Sequence, residues 1–334
     1  MELQPGLVLV TGQNGVGKTN LLEAVHLGSQ GFSPRTRSDA EIIRFGTEAG
    51  RVTLRGERRG APIELDVRLS LERPKRAQVN GAHLRAAEQL RAEVTALVFT
   101  PDRVVVVKGG PAARRAYFDR ALGRLAPARA ALPVEYGAAV GQRNAALRRV
   151  AGGYSSEDAL VPWTERVAAL GAELVEARKE TIALLAPAFG RHADALGLGQ
   201  AGLSYDGVPP TLDALEERLE RDLERGTTGV GPHLDDVAIL AGTRELRRFG
   251  SQGEQRLAVL SLLLAEAELA GERGDAPLLL LDDVLSELDS YRRETLVGRI
   301  RELGQSLVTA TSPAALPGEP DQLVEVTPGR ARVA

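Results

Sequence analysis

Apolar positions along the chain fall into three patterns, and each predicts a different element. Short continuous runs predict buried strands: Leu7-Val8-Leu9-Val10, Ala96-Leu97-Val98-Phe99, Val237-Ala238-Ile239-Leu240, Leu278-Leu279-Leu280-Leu281 and the stretch 306–311. Leu203-Ser204-Tyr205 is a weaker strand candidate. Alternation of apolar and polar residues at 51–55 and 63–71 predicts half-buried antiparallel strands, and Asn80-Gly81 is a hairpin turn signal. Residues 42–80 therefore suggest an antiparallel meander. A helical pattern rich in Ala, Leu and Arg runs from 112 to about 189, broken at Pro127 and Pro133, with 165–185 as one long helix. No heptad repeat persists over the roughly 3–4 heptads that a long coiled coil needs. Residues 212–225 alternate in charge and predict an exposed helix, and 256–269 predict an apolar one. Gly109-Gly110-Pro111 marks a boundary. The expected architecture is α/β: a lobe from residues 1–109 and 231–334 with a mixed sheet and the meander, and a mainly helical lobe from 110–230.

The chemistry starts behind the first strand. Gly12-Gln13-Asn14-Gly15-Val16-Gly17-Lys18-Thr19 is G-x-x-x-x-G-K-T between a strand and the helical stretch 20–25, the setting a phosphate-binding loop requires. Its glycines let the backbone wrap a polyphosphate, and successive N–H groups at the helix start face the anion. Lys18 is expected to reach the β- and γ-phosphates, and the Thr19 hydroxyl to bind Mg²⁺, which makes ATP with Mg²⁺ the expected cofactors. The four-leucine strand ends in Asp282-Asp283, at the carboxyl end where open α/β sheets bind ligands. Asp282 is the expected Mg²⁺ partner opposite Thr19, and Asp283 is placed to polarise the attacking water. Ser251-Gln252-Gly253-Glu254-Gln255 opens the apolar helix, where a hydroxyl and free N–H groups suit either an ordinary cap or an anion.

Composition narrows the field. The 334 residues contain no cysteine, which excludes disulfides, zinc–thiolate sites and a thiol nucleophile and suits a cytoplasmic protein. No apolar run approaches the roughly 18 residues of a membrane span, and no secretion signal is visible at the start, so no membrane partner is expected. The net charge of −3 neither announces nor excludes a nucleic acid, because a patch matters more than the total. Arg35 and Arg37 sit in a polar loop that is either a solvated connector or a phosphate contact. Arg114 and Arg115, with Arg120 and Arg124, are either a solvated basic face or part of a DNA track. His233, in Gly231-Pro232-His233-Leu234-Asp235-Asp236, stands between a structural and a direct role.

Together the loop, the segment 251–255, the acidic strand and Ser286-Glu287-Leu288-Asp289 resemble the ABC-type ATPase head, in which the last two correspond to Walker B and the D-loop. A transporter head carries a switch histidine after the acidic strand and Glu behind the Walker B Asp. Here none of the four histidines (26, 83, 192, 233) follows that strand, Thr311 or Ser312 stands in the switch place, and Asp283 replaces the Glu. An SMC- or Rad50-like organiser needs a long coiled coil or a Cys-x-x-Cys hook. The detailed resemblance is to the RecF family. It is carried by 15–23, 32–44, 98–102, 108–111 with Arg114-Arg115, Gln142-Arg143-Asn144, 231–236, 251–256 and 278–289. Members of that family begin with an additional strand ending in an N-F-R-N-like segment, whereas Met1 here stands eleven residues before Gly12.

The resemblance implies a weak DNA-dependent ATPase that forms a homodimer on ATP. Residues 12–19, Asp282 and Asp283 of one copy would join Ser251, Gln252, Gly253 and Gln255 of the other, and Asp289 is a further nucleotide-binding candidate. It also implies binding to gapped DNA and single-strand/double-strand junctions, with Arg35, Arg37, Arg114 and Arg115 as candidate contacts. RecO and RecR are the implied partners in loading recombinase.

Overall fold

The computed structural model describes residues 1–36, 38–58, 60–274 and 276–334. By internal contacts the chain forms two compact units. The first comprises Met1–Arg103, Ala195–Gly197 and Leu263–Ala334, and the second Val104–Asp194 and Leu198–Leu262.

The first unit is built on a six-stranded sheet. Its spatial order is Arg330–Val333, Gln322–Thr327, Leu7–Thr11, Ser306–Ala310, Leu278–Leu281, Ala96–Phe99. All pairings are parallel except the one between Gln322–Thr327 and Arg330–Val333. Leu7–Thr11 is buried at every position because it lies inside the sheet, so its sequence reads as a continuous apolar run. Helix Lys18–Gln30 lays Leu22 and Val25 against Val8, Val10, Val98, Leu280 and Leu307. The expected meander is present as Ala49–Arg58, Ala61–Ser70, Arg76–Val79 and Ala82–His83. Its hairpin turns at Asn80 and Gly81, with φ of 48° and 82°, as a type I′ turn demands. Its inner face packs Leu65, Val67, Leu69 and Ala77 against Leu27 and Ile43.

The second unit is mainly helical. Pro111–Leu125, Leu132–Ala151 and the 35-residue Val161–Ala195 supply most of a core that includes Leu122, Tyr136, Val140, Val167, Leu170 and Leu174. The long helix extends beyond the expected 165–185 at both ends. The stretch 212–225 is two short helices, Leu212–Glu216 and Leu219–Arg225, and Asp222 within it is buried rather than exposed. A three-stranded antiparallel sheet joins Ala201–Ser204, Ala238–Ala241 and Arg244–Glu245.

The division differs from the expected 1–109 with 231–334 against 110–230. Residues 231–262 belong with the helical unit because Ala238–Ala241 pairs with Ala201–Ser204 and Asp236 holds Arg114. The earlier boundary falls at Arg103, since the Val107 and Gly109 carbonyls accept from Arg114. Among the described residues no helix is long and apolar enough to cross a membrane.

Candidate nucleotide site

The phosphate loop leaves the carboxyl end of Leu7–Thr11 and runs into helix Lys18–Gln30. Gly12, at φ 155°, passes so close to the next strand that a Cβ there would lie 2.4 Å from the Val326 carbonyl oxygen. Gly17 is the N-cap at φ 109° and, having no side chain, offers no cap to the first helical N–H groups, an arrangement that suits an anion. Gln13, Asn14 and Gly15 are exposed, while Val16 is half-buried over the core of the sheet. The Lys18 ammonium donates to the carbonyls of Gly12 at 2.7 Å and Gln13 at 2.9 Å, so its charge sits over the loop.

Strand order brings the acidic residues to this loop. Ser306–Ala310 lies between Leu7–Thr11 and Leu278–Leu281, so both outer strands end on the same side. Thr19 Oγ1 reaches Asp282 Oδ2 at 2.9 Å and Oδ1 at 3.1 Å. Asp282 is 8% exposed and also accepts from the Thr309 hydroxyl at 2.8 Å. A hydroxyl and a buried carboxylate converging beside a phosphate loop are hard oxygen ligands suited to Mg²⁺, which takes few protein ligands and completes its shell with substrate phosphates and water. Asp283 is exposed and holds a left-handed backbone at φ 50°. Its N–H donates to Thr309 Oγ1 at 2.8 Å. Thr309 was legible in the sequence only as part of a strand, because Ser306 and Thr311 bring further hydroxyls to the same stretch.

The segment 251–255 lies in the second unit. Ser251 and Glu254 form a capping box at the start of helix Gln252–Glu272. Glu254 N–H donates to Ser251 Oγ at 3.2 Å, and Ser251 N–H to Glu254 Oε2 at 2.8 Å. Arg244 adds an ion pair to Glu254 at 2.9 Å. The Ser251 backbone N–H, joined by Arg244, holds the Glu254 carboxyl below its ordinary range. Ser251, Gln252 and Gly253 are exposed at the helix start. Gln255 corrects an expectation: it is 5% exposed, and its amide donates to the carbonyls of Leu246 and Gly250 inside its own unit. One turn into the helix, its side chain falls on the packed face rather than the exposed tip. Asp289 caps helix Ser290–Glu302 through the Arg292 N–H and pairs with the Arg292 guanidinium, so its carboxylate is engaged locally.

The arginines expected at DNA separate. Arg35 stays exposed, tethered to Glu23 at 3.3 Å. Arg37 lies outside the described residues. Arg114 is corrected from a surface contact to a core group: it is 1% exposed and makes a bidentate pair with Asp236, 2.6 Å on each arm. Burial pushes Asp236 up, but those bonds outweigh it and hold the carboxyl below its ordinary range. Arg115 is half-buried and donates to the Asp235 carbonyl at 2.6 Å.

Most of the 231–236 segment is likewise spent inside the second unit. His233 Nε2 lies 2.9 Å from the Thr228 carbonyl and Nδ1 2.7 Å from the Tyr136 hydroxyl. The Pro232 carbonyl accepts from Arg178 at 2.7 Å, and Asp235 accepts from Tyr205 at 2.7 Å. Burial lowers the His233 pKa, which keeps the ring neutral. Sequence reasoning missed the neighbouring pair Arg143–Asp222, each 1% exposed and 2.8 Å apart.

Comparison with known proteins points to one family. The RecF/RecN/SMC N-terminal domain profile matches residues 1–333. The DNA replication and repair protein RecF of Symbiobacterium thermophilum is 36% identical over 329 residues, covering 93% of this chain and 87% of its own length. A solved structure of the recombination mediator protein RecF with ATP, in the RecFOR pathway, superposes with a TM-score of 0.87 at 28% identity. It covers 100% of this chain and 93% of that one. An Smc head bound to the C-terminal winged-helix domain of ScpA shares the fold at TM-score 0.60 and 16% identity, covering 98% and 90% of the two chains.

Proposed function

The chain belongs to the RecF family of DNA replication and repair proteins, ABC-type ATPases, and from that premise we propose that it is a recombination mediator that binds ATP at residues 12–19 and dimerises on it. The observation that carries this reading is the closure of Thr19 on Asp282 beside an exposed Asp283 held in a left-handed backbone. Lys18 neutralises the β- and γ-phosphates, and the helix N–H groups orient them. Thr19 and Asp282 would hold Mg²⁺, which would supply positive charge to offset the charge of the phosphates. Asp283 accepts a hydrogen bond from the attacking water and so aims its oxygen at the γ-phosphorus.

Ser251, Gln252 and Gly253 act in trans. The Ser251 hydroxyl accepts the Glu254 N–H and keeps its own proton free to donate to the γ-phosphate of a second copy. ATP then joins two copies, and its hydrolysis removes the charge that held them. The dimer engages gapped DNA at single-strand/double-strand junctions and works with RecO and RecR in the cytoplasm. Of the candidate arginines among the described residues, Arg35 is the one retained as a DNA contact, because it stays exposed. Hydrolysis is slow and stimulated by DNA.

Lys18→Met tests the reading. The polyphosphate loses its cation, so ATP-dependent dimers should disappear in light scattering while the melting temperature without nucleotide stays unchanged. Normal dimer formation by this variant sinks the assignment.

A further inference from the structure

We propose that Thr309 is a positioning residue for hydrolysis: its hydroxyl fixes the backbone of Asp283 and ties it to the Asp282 carboxylate. The inference rests on the reading of Asp283 as the residue that polarises the attacking water. Thr309 is 1% exposed on Ser306–Ala310, the strand between the one that feeds the phosphate loop and the one that ends in Asp282. Its Oγ1 lies 2.8 Å from Asp282 Oδ1 and 2.8 Å from the Asp283 nitrogen. The directions are forced, because a backbone N–H only donates and an ionised carboxylate only accepts. The hydroxyl therefore accepts from Asp283 and donates to Asp282.

Asp283 needs such an anchor. Among the described residues only Asn80, Gln200 and Asp283 combine a side chain with positive φ. Asn80 sits in a turn that favours it, whereas Asp283 stands two residues past the end of a buried strand. In this region the Cβ crowds the carbonyl oxygen, and the conformation persists where surrounding bonds over-determine it. Thr309 holds the Asp283 N–H, and Ser286 Oγ donates to the Asp283 carbonyl at 3.2 Å. With both ends of the residue pinned, its exposed carboxylate leaves the strand on a fixed heading. The same hydroxyl links that heading to Asp282, which touches Thr19. Asp282 and Asp283 are thus placed as one unit by the Thr309 hydroxyl.

Thr309→Val keeps the shape and removes the hydroxyl. Turnover should fall about 100-fold, the scale on which small misplacements of a reacting group act, with KM for ATP little changed because residues 12–19 are untouched. Thr309→Ser keeps the hydroxyl and should recover most of that loss. In an Asp283→Asn background Thr309→Val should cost much less than in the parent, since the share of its effect that runs through Asp283 is already lost.

The test is steady-state hydrolysis by the full chain, with nucleotide affinity and melting temperature measured on each variant. The proposal is overturned if Thr309→Val turns over like the parent while Asp283→Asn does not. It is also overturned if the loss appears in KM, or if Thr309→Ser fails to recover activity. If Thr309→Val and Thr309→Ala both unfold, the hydroxyl is a structural group and the proposal falls. Unchanged turnover in Asp283→Asn would instead overturn the assignment of Asp283 itself, whatever Thr309 does.

Discussion

At the scale of single residues, the groups readable from sequence were those that belong to a motif of local spacing. The loop 12–19 and the pair Asp282-Asp283 announce themselves because glycine, lysine and carboxylate spacing is local. Arg114 could not be read that way. Whether an arginine is solvated or buried depends here on Asp236, 122 positions along the chain. The same holds for Arg143, Asp222 and Arg178, which bury charge only because partners meet them after folding. Removing one member of such a pair leaves the other unpaired at a cost of about 3–5 kcal/mol.

His233 yields a prediction at this scale. Burial, partly opposed by the Thr228 carbonyl, sets its pKa below the ordinary value of 6.5. The unfolded chain therefore binds a proton that the folded chain refuses. Stability should be full above about pH 6.5 and decline as pH falls from there toward the lower folded pKa, below which this contribution levels off. Denaturant midpoints measured from pH 7.5 to 5 should show the decline, and His233→Gln should show less of it. Equal slopes in the two proteins would remove His233 as the titrating group.

At the scale of elements, patterns of period two and continuous apolar runs placed the central strands well. Gln322–Thr327 was not anticipated, although it alternates between buried and less buried positions as a sheet strand should. The helix opening at Ser251 was readable, but its membership was not. Residues 252–262 of that helix fall in the second unit and 263–272 in the first, a split no local pattern encodes. Its start is secured by reciprocal bonds between Ser251 and Glu254. Glu254→Ala frees the Ser251 N–H and discards the Arg244 pair, so stability should drop by about 1 kcal/mol. Glu254→Gln should keep most of it, because Gln also closes a capping box. Guanidinium unfolding compares them, and a Glu254→Ala midpoint equal to the parent's would show that the box contributes nothing.

At the scale of the whole molecule, the proposal that a second copy completes the ATP site can be tested from where its residues lie. Residues 12–19, Thr19 and Asp282 belong to one compact unit, and the exposed tip 251–253 belongs to the other. That tip presents a hydroxyl and a glycine beside Phe249, which is 66% exposed. A rim of this kind is suited to meeting a partner's surface. Ser251→Arg places a long cation on an exposed position and removes the capping hydroxyl, so stability should fall by about 1 kcal/mol while the fold is kept. Single-copy ATP affinity, which depends on residues 12–19, should stay within about threefold, a free-energy change of less than ~1 kcal/mol. The dimer is expected to be lost, because the tip would no longer fit over a bound γ-phosphate. Light scattering with ATP should report a monomer, and equilibrium dialysis should report near-normal binding. Loss of ATP binding by the monomer would show that Ser251 acts within its own chain. Retention of the dimer would show that 251–253 lies outside the interface, leaving the clasp to some other part of the surface.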